Sequence, residues 1–233
     1  MELRAESVHK RFGTAVALAG VDLTAAADTH LLLAGANGAG KTTLLRLFAG
    51  LTGPTEGRVM IGGQDPRRST AQRWRLGLLS HQTLLYDDLT AAENLRFFGG
   101  LYGLGVETVS SALVAVDLAD HAEAKVGGFS RGMKQRLALA RATLHTPEVL
   151  LLDEPFTGLD RRSARTLSTR LLERTRQPGV SSVLVTHNVE EAAQFVNRVI
   201  ILRGGRVVCD EPWSARDGAL LQALCDHHQE VPR

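Results

Sequence analysis

The sequence predicts an α/β fold in which a mainly parallel β-sheet is covered by helices. Short apolar runs of strand length alternate with longer segments of helical periodicity over most of the chain. A length of 233 residues is enough for one large domain with a sizeable core. We therefore expect a single domain, residues 1–233, with an N-terminal antiparallel β subdomain and a helical subdomain over roughly residues 82–140.

The first predicted elements are strands, followed by one helix. Residues 2–13 and 14–25 are predicted to form two or three antiparallel strands, because no helical segment separates them. Residues 29–35 form an apolar strand, and residues 41–50 form a helix that ends at a glycine. A turn then leads into a short strand at residues 58–63.

The later elements continue the alternation. The predicted strands are 76–82, 149–153 and 181–187, and the predicted helical segments are 90–118, 130–144 and 161–176. Residues 199–210 predict a hairpin, since Gly204 and Gly205 lie between two apolar runs and supply the positive φ angles of a tight turn.

The charge balance argues against a nucleic-acid partner. The chain has 27 basic and 25 acidic residues, a formal net charge of +2, and no long basic run. Among the basic residues lysine occurs only at Lys10, Lys41, Lys125 and Lys134, and the rest are arginines. A site that keeps a lysine in this chain is therefore of particular interest.

The composition predicts a globular protein that does not itself cross a membrane. The hydrophobic fraction is 44%, the mean hydropathy is -0.04, and no apolar stretch reaches the roughly 20 residues of a spanning helix. The first residues mix both signs of charge, unlike a secretory signal, so we expect a cytoplasmic location. Cys209 and Cys225 have no spacing typical of a disulfide framework or zinc site.

A phosphate-binding loop is predicted between the strand 29–35 and the helix 41–50. Residues 35–42 match GxxxxGK[ST]. Gly38 and Gly40 allow the backbone N–H groups to curl around a phosphate, and the following helix adds the positive end of its dipole. Lys41 supplies a compact charge to the β- and γ-phosphates, and Thr42 an oxygen to Mg²⁺. The pattern predicts a P-loop NTPase core that binds a nucleoside triphosphate.

Two carboxylates follow the apolar strand 149–153. Asp153 ends this strand and is the candidate metal ligand. Glu154 points differently from its neighbour and is placed to deprotonate an attacking water, the general-base role in hydrolysis. The alternative for Glu154 is a charge at a helix N-terminus.

With these residues the chain resembles the ATP-binding subunits of ABC transporters, and further motifs follow in family order. Gln82, in Ser80-His81-Gln82, is similar to the Q-loop glutamine, and residues 129–136 (FSRGMKQR) resemble the signature segment. Residues 156–160 match the D-loop, His187 corresponds to the switch histidine, and Phe12 falls where the family has an aromatic residue that stacks on adenine. Without the resemblance, Phe12 reads as a core residue, His187 as a structural histidine and Gln82 as surface.

The resemblance implies an ATPase in which two copies sandwich two ATP molecules head to tail. The implied catalytic residues are Glu154, His187 and Gln82, and the implied Mg²⁺ ligands are Thr42, Gln82 and Asp153. The implied ATP contacts are Phe12, Gly35, Asn37, Gly38, Ala39, Gly40, Lys41, Thr42 and Thr43, with Ser130, Gly132 and Asp160. Ser130 and Asp160 also have the character of helix N-caps. Arg131 departs from the family pattern, which has glycine there, and we expect it to alter the dimer or to meet an acidic partner.

The resemblance also implies membrane partners. A motor with no predicted span would dock its helical section, roughly residues 82–125, on transmembrane subunits at the cytoplasmic face. Residues 78–97, with His81 and the ENLRF segment, resemble the haem-exporter subunit of cytochrome c maturation, although His81 is not interpreted as a haem ligand. Export of a drug, lipid or peptide is an alternative, as is a non-transport ABC ATPase on ribosomes or DNA. A GTPase lacks support because no NKxD motif is present, and a kinase would leave residues 129–136 unexplained.

Overall fold

The computed structural model describes residues 1–80 and 82–230. The strands are β1 (Leu3–Phe12), β2 (Ala15–Ala25), β3 (His30–Ala34), β4 (Glu56–Ile61), β5 (Leu76–Leu79), β6 (Val149–Asp153), β7 (Ser181–Val185), β8 (Arg198–Arg203) and β9 (Arg206–Pro212). The helices are α1 (Lys41–Phe48), α2 (Thr70–Arg73), α3 (Ala91–Leu101), α4 (Val106–Ala115), α5 (Arg131–Thr143), α6 (Arg161–Thr175), α7 (Val189–Ala192) and α8 (Gly218–Glu230).

The strands form two sheets. The larger sheet has the order β5-β6-β7-β3-β8-β9, in which β9 alone runs antiparallel to its neighbour. The smaller sheet has the order β2-β1-β4 and is antiparallel. The predicted α/β fold with an N-terminal antiparallel subdomain is confirmed, while the membership of β4 in that subdomain was not predicted.

The larger sheet buries both of its faces, as its nearly continuous apolar strands require. Leu31 and Leu33 of β3 pack in a core with α1 and the smaller sheet. Leu32 and Ala34 point the other way and pack in a second core with residues of α5, α6, α7 and α8. Both cysteines are free and buried within this second core, and burial raises the pKa of the Cys225 thiol to about 11.

The helical section has a core of its own, built from α3, α4 and the outer face of α5. The predicted helical segment 90–118 is divided into two helices. Thr90 and Glu93 start α3 with a capping box, in which each side chain accepts a hydrogen bond from the backbone N–H of the other at 3.1 and 2.8 Å. Gly103, at φ +68°, lies in the turn between α3 and α4.

Several boundaries differ from the prediction. The strands predicted to reach Gln82 and His187 end at Leu79 and Val185, so both of these candidate site residues lie in loops beyond the sheet. The residues that follow these two strands are polar, and no glycine or proline separates them from the strands. The sequence pattern therefore does not mark the residue at which strand pairing stops. The helices α2, α7 and α8 were not predicted.

A ring stack attaches the helical section to the edge of the larger sheet. The rings of Tyr102 and His145 are parallel, with centroids 4.0 Å apart. His145 donates from Nε2 to the carbonyl oxygen of Leu76 at 3.0 Å, while its Nδ1 is buried with no hydrogen-bond partner among the described residues. Arg141 donates to the carbonyl of Leu78 at 3.0 Å. Burial, reinforced by the charges of Arg174 and Arg141, lowers the pKa of His145.

We predict that this histidine makes stability sensitive to acid. Because its folded pKa is lowered, the unfolded chain binds the proton more tightly, and stability is lost as pH falls below the ordinary histidine value of about 6.5. The replacement His145→Phe keeps a stacking ring and cannot be protonated. Urea unfolding at pH 7.5 and 5.5 should show a smaller loss of unfolding free energy in the variant than in the wild type; an equal loss in both would contradict the prediction. Burial also lowers the pKa of His30, so we expect the His145→Phe variant to keep part of the acid sensitivity.

Candidate nucleotide site

Three adjacent strands of the larger sheet end at the candidate site. β7 lies between β3 and β6, and all three run parallel. The phosphate loop follows β3, Asp153 ends β6, and His187 lies two residues beyond β7. The carboxyl ends of parallel strands meet at one edge, which is where α/β sheets bind ligands.

The loop between β3 and α1 needs glycine at two close backbone approaches. Gly35 has φ +135°, and a methyl group there would lie 2.2 Å from the carbonyl oxygen of Leu202. Gly40 has φ +105°, and a methyl group there would lie 2.5 Å from the carbonyl oxygen of Ala17. The exposed part of the loop includes Asn37 and Gly38, whereas Ala39 is buried.

Lys41 begins α1 and points back into the loop. Its Nζ donates to the carbonyl oxygens of Gly35 at 2.6 Å and Ala36 at 3.0 Å. Burial lowers the pKa of Lys41, against the opposing effect of the carboxylates Glu154 and Asp153. The same short loop thus holds the ammonium group close to where the phosphates of a nucleotide would lie.

Thr42 and Asp153 meet across the site. Thr42 Oγ1 donates to Asp153 Oδ1 at 3.1 Å, and Asp153 is buried. Gln82 and Asp153 line one cavity of about 360 Å³. These oxygen donors fit Mg²⁺, which is usually held by one or two protein oxygens together with phosphates and water. Among the described residues no cluster of three or more His, Cys, Asp or Glu side chains is suited to a metal.

Glu154 is held between two side chains. Its Oε2 accepts from Thr157 Oγ1 at 3.2 Å and from the backbone N–H of His187 at 3.3 Å, and its Oε1 lies 3.2 Å from His187 Nε2. The backbone of Glu154 has φ +51°, which turns the chain sharply after β6, and its N–H donates to Val185 O at 2.8 Å. The side chain of Glu154 is only 17% exposed, whereas that of His187 is 61% exposed. The alternative of a helix-terminal charge does not describe this arrangement, because the next helix begins at Arg161.

Phe12 lies at the open side of the site. It ends β1, is 55% exposed, and lines the same cavity as Asp153 and Gln82, together with Arg46. The ammonium group of Lys10 lies 4.8 Å from the centroid of its ring. The interpretation of Phe12 as a core residue is therefore wrong, and its exposed face is available for stacking.

The signature segment and the D-loop do not complete this site within one chain. Ser130 caps α5 by accepting from the N–H of Met133 at 3.2 Å, and Asp160 caps α6 by accepting from the N–H of Ser163 at 2.9 Å. The hydrogen bonds that Asp160 accepts from the backbone N–H and the hydroxyl group of Ser163 lower the pKa of Asp160. Both predicted N-caps are present, and Gly132 lies against Ser163 rather than against the phosphate loop. The remaining predicted contact, Thr43, lies on α1 and is partly buried.

Four contacts near the site were not predicted from the sequence. They are the contact of Thr157 with Glu154, that of Lys10 with Phe12, that of Arg131 with Gly158, and the ion pair between Lys134 and Asp87 at 2.7 Å. Arg131 and Lys134 contact residues that are distant in the sequence, Thr157 reaches Glu154 through a turn, and Lys10 lies two residues before Phe12 on β1. Because lysine is scarce in this chain, the presence of lysine at positions 10 and 134 is a sequence signal that could have identified Lys10 and Lys134 as residues with specific contacts. His81 lies outside the described residues.

The fold and the loop geometry define a P-loop nucleotide-binding protein. A family model described as ABC transporter matches residues 18–157, more than half of the chain. The chain belongs to this family of ATP-binding cassettes.

Curated relatives include importers and exporters. The chain is 35% identical over 211 residues to an Fe(3+) ions import ATP-binding protein of Haemophilus influenzae, covering 89% of this chain and 64% of the relative. It is 38% identical over 209 residues to a Nod factor export ATP-binding protein of Burkholderia lata, covering 88% and 68%. It is 36% identical over 194 residues to the ABC transporter ATP-binding protein NatA of Bacillus subtilis, covering 81% and 78%. The chain thus spans about two thirds of the length of the first two.

Solved structures agree with the fold. The chain matches the ATP-binding cassette MJ0796, described as a dimeric post-hydrolysis state bound to ADP and Pi, with a TM-score of 0.80 and 26% identity, covering 91% of this chain and 99% of that one. It matches an ATP-binding subunit of an ABC transporter with a TM-score of 0.83 and 24% identity, covering 97% and 100%. The second likeness concerns the fold alone.

We predict that Gly35→Ala unfolds the protein more readily than a matched glycine variant. Gly13→Ala is the control, since Gly13 also has a positive φ, of +59°, but a methyl group there would have none of the described residues within 4 Å. The control should lose about 1 kcal/mol of unfolding free energy. Gly35→Ala should lose about 3 kcal/mol or more, because its methyl group overlaps a backbone oxygen of β8. Urea denaturation measures both, and similar losses would show that the approach of β8 is not a constraint.

Proposed function

We propose that this chain is the ATP-hydrolysing motor subunit of an ABC transporter. The observation that carries the proposal is the setting of Glu154, directly after the buried Asp153 and held by Thr157 and His187 at the edge where the phosphate loop lies. A positioned carboxylate beside a phosphate site is what water activation requires.

In the proposed reaction the residues around the site divide the binding of ATP and Mg²⁺ among them. Lys41 and the N–H groups of the loop at residues 35–40 bind the β- and γ-phosphates, and Phe12 stacks on the base. Thr42 and Asp153, with Gln82, would hold Mg²⁺. When bound, the ion neutralises charge on the phosphate oxygens.

Glu154 accepts the proton of the attacking water in this proposal. Thr157 Oγ1 and the N–H of His187 donate to one carboxylate oxygen, which fixes the orientation of the group. The ring of His187, 3.2 Å from the other oxygen and largely exposed, is placed to turn toward a γ-phosphate. The two side chains would therefore exchange partners when ATP binds.

The proposed active form is a head-to-tail pair of identical chains. Ser130 and Gly132 open α5, whose N–H groups favour a phosphate, yet their contacts within one chain are to α5 itself and to Ser163 of α6. A second copy would bring these residues, with Asp160, to the phosphates bound by the first. The dimeric state of the MJ0796 structure supports this arrangement.

Membrane partners are proposed to dock beside the Q-loop. Tyr86, Phe97 and Leu101 are about half exposed, and the rings of Tyr86 and Phe97 lie 5.2 Å apart edge to face. An open groove of about 590 Å³ lies next to Gln82, between the loop that follows β5 and the start of α5. Apolar patches of this kind on an otherwise polar surface mark partner sites. Among the described residues no helix is long and apolar enough to span a bilayer. Such partners would hold the chain at the cytoplasmic face of the membrane.

The transported molecule is a separate proposal. The resemblance of residues 78–97 to a haem exporter rests partly on Glu93 and Asn94. Glu93 closes the capping box of α3, and the buried Asn94 exchanges hydrogen bonds with the backbone of Tyr86 at 2.8 and 3.0 Å. Folding accounts for both residues without reference to a transported molecule. Because related motors serve import of Fe(3+) ions and export of Nod factor, we propose that the membrane partner determines substrate and direction.

We predict that Glu154→Gln binds ATP but hydrolyses it about 100-fold more slowly or worse, and accumulates as a closed dimer. The amide keeps the size of the side chain and cannot take up the proton. Phosphate release, equilibrium ATP binding and light scattering measure the three properties. Glu107→Gln, on the exposed face of α4, is the matched control and should behave as the wild type. Wild-type turnover by Glu154→Gln would refute the general-base role.

We predict that Phe97→Asp separates the motor from its membrane partner. The partner should first be identified by mass spectrometry of the complex purified from membranes. The variant should then lose at least about tenfold in recovery of that partner and keep its basal ATPase rate, because a charge on the docking face must be desolvated. Leu220→Asp is the matched control, since Leu220 is 54% exposed and lies on α8. Equal recovery with both variants, or recovery of ribosomes or DNA in place of a membrane protein, would contradict the docking proposal.

A further inference from the structure

The unusual arginine of the signature segment lies on the D-loop of its own chain. A methyl group at Gly158 would come within 2.6 Å of Arg131 Cζ and 2.8 Å of its Nε and Nη1. The guanidinium group therefore occupies the space above Gly158, whose φ of +70° already favours glycine. No acidic partner of Arg131 lies within ion-pair distance in the described part of the chain. The guanidinium group thus packs on the backbone of a residue that has no side chain, and a flat group is suited to such a contact.

A second contact joins the same two segments. A methyl group at Gly132 would lie 2.5 Å from Ser163 Oγ and 2.9 Å from its Cβ. Ser163 in turn donates to Asp160 from both its N–H and its hydroxyl group, each at 2.9 Å. The first turn of α5 is therefore packed against residues 158–163 at two successive positions.

The other end of this loop holds the proposed general base. Thr157, the neighbour of Gly158, donates to Glu154 at 3.2 Å. Residues 154–160 thus run from the carboxylate that would act on the chain's own ATP to the segment that Arg131 contacts. In the head-to-tail dimer, Ser130 and Gly132 would meet the ATP bound by the other copy. One short stretch of backbone connects the groups assigned to two different ATP molecules.

We propose that Arg131 is a positioning residue that couples the two ATP sites of the dimer. It makes the start of α5 and residues 154–160 move together, so that closure of α5 on the partner's ATP sets the position of Glu154 at the chain's own ATP. This inference rests on the dimer and general base proposed above. The sites would then turn over cooperatively, and the coupling would depend on the flat shape of the guanidinium group that packs on Gly158.

The test compares the ATP dependence of hydrolysis in Arg131→Ala, Arg131→Lys and a control. The control Arg162→Ala removes an exposed arginine from the first turn of α6. For the wild type and the control we expect a Hill coefficient well above one, with two sites setting the upper limit at two. Arg131→Ala and Arg131→Lys should both fall toward one, with coupling between the sites reduced at least about fivefold, while ATP affinity of the single chain and thermal stability stay as in the wild type.

Three results would overturn the proposal. An unchanged Hill coefficient in Arg131→Ala, in a protein whose Glu154→Gln form does dimerise with ATP, would refute the coupling role alone. Normal cooperativity in Arg131→Lys beside its loss in Arg131→Ala would show that only the charge matters, as expected for a direct contact with the partner's phosphate. Failure of Glu154→Gln to dimerise would overturn both this inference and the dimer on which it rests.

Discussion

The site depends above all on the pairing of β7 between β3 and β6. Val185 of β7 is the register partner of Leu33 on one side and of Asp153 on the other, and its carbonyl oxygen also accepts the N–H of Glu154. The phosphate loop, Asp153 and His187 are therefore aligned in one row across three strands. A shift of one residue in either pairing would turn Asp153 or the start of the loop to the opposite face of the sheet.

Backbone conformation, more than side-chain chemistry, limits which residues this row tolerates. Gly35 and Gly40 pass so close to β8 and β2 that no side chain fits. Glu154 adopts a positive φ although it is not glycine, at a cost of about 1–2 kcal/mol. The hydrogen bond to Val185 and the contacts with Thr157 and His187 offset that strain. Strain of this kind at a site is expected where the position of one functional group matters more than local stability.

The predicted ATP contacts of this chain fall into two groups. The phosphate loop, Asp153, Glu154 and His187 are brought together within one chain, whereas the first turns of α5 and α6 pack on each other and leave the predicted set of ATP contacts incomplete. Such an incomplete site is the physical reason for the proposed second copy. Three of the four lysines have contacts near these two groups. Lys41 donates to a carbonyl of the phosphate loop, and the ammonium group of Lys10 lies over the ring of Phe12. Lys134 forms an ion pair with Asp87, which connects α5 to the segment after β5. Lys125 forms an isolated bridge with Thr90, and its charge is one of the smaller causes that lower the pKa of Glu93.

The sequence by itself determined the fold class, the phosphate loop and the order of the motifs, because apolar periodicity, glycine spacing and a strand-terminal Asp153 are local properties. It also identified Ser130 and Asp160 as caps, since an N-cap depends on a few adjacent residues. Only the tertiary structure decided that β4 joins the smaller sheet, that Phe12 is exposed, and that Glu154 contacts His187. It also decided that Arg131 lies on Gly158. These contacts join residues far apart in the chain or depend on where a strand stops pairing, and no local pattern encodes either.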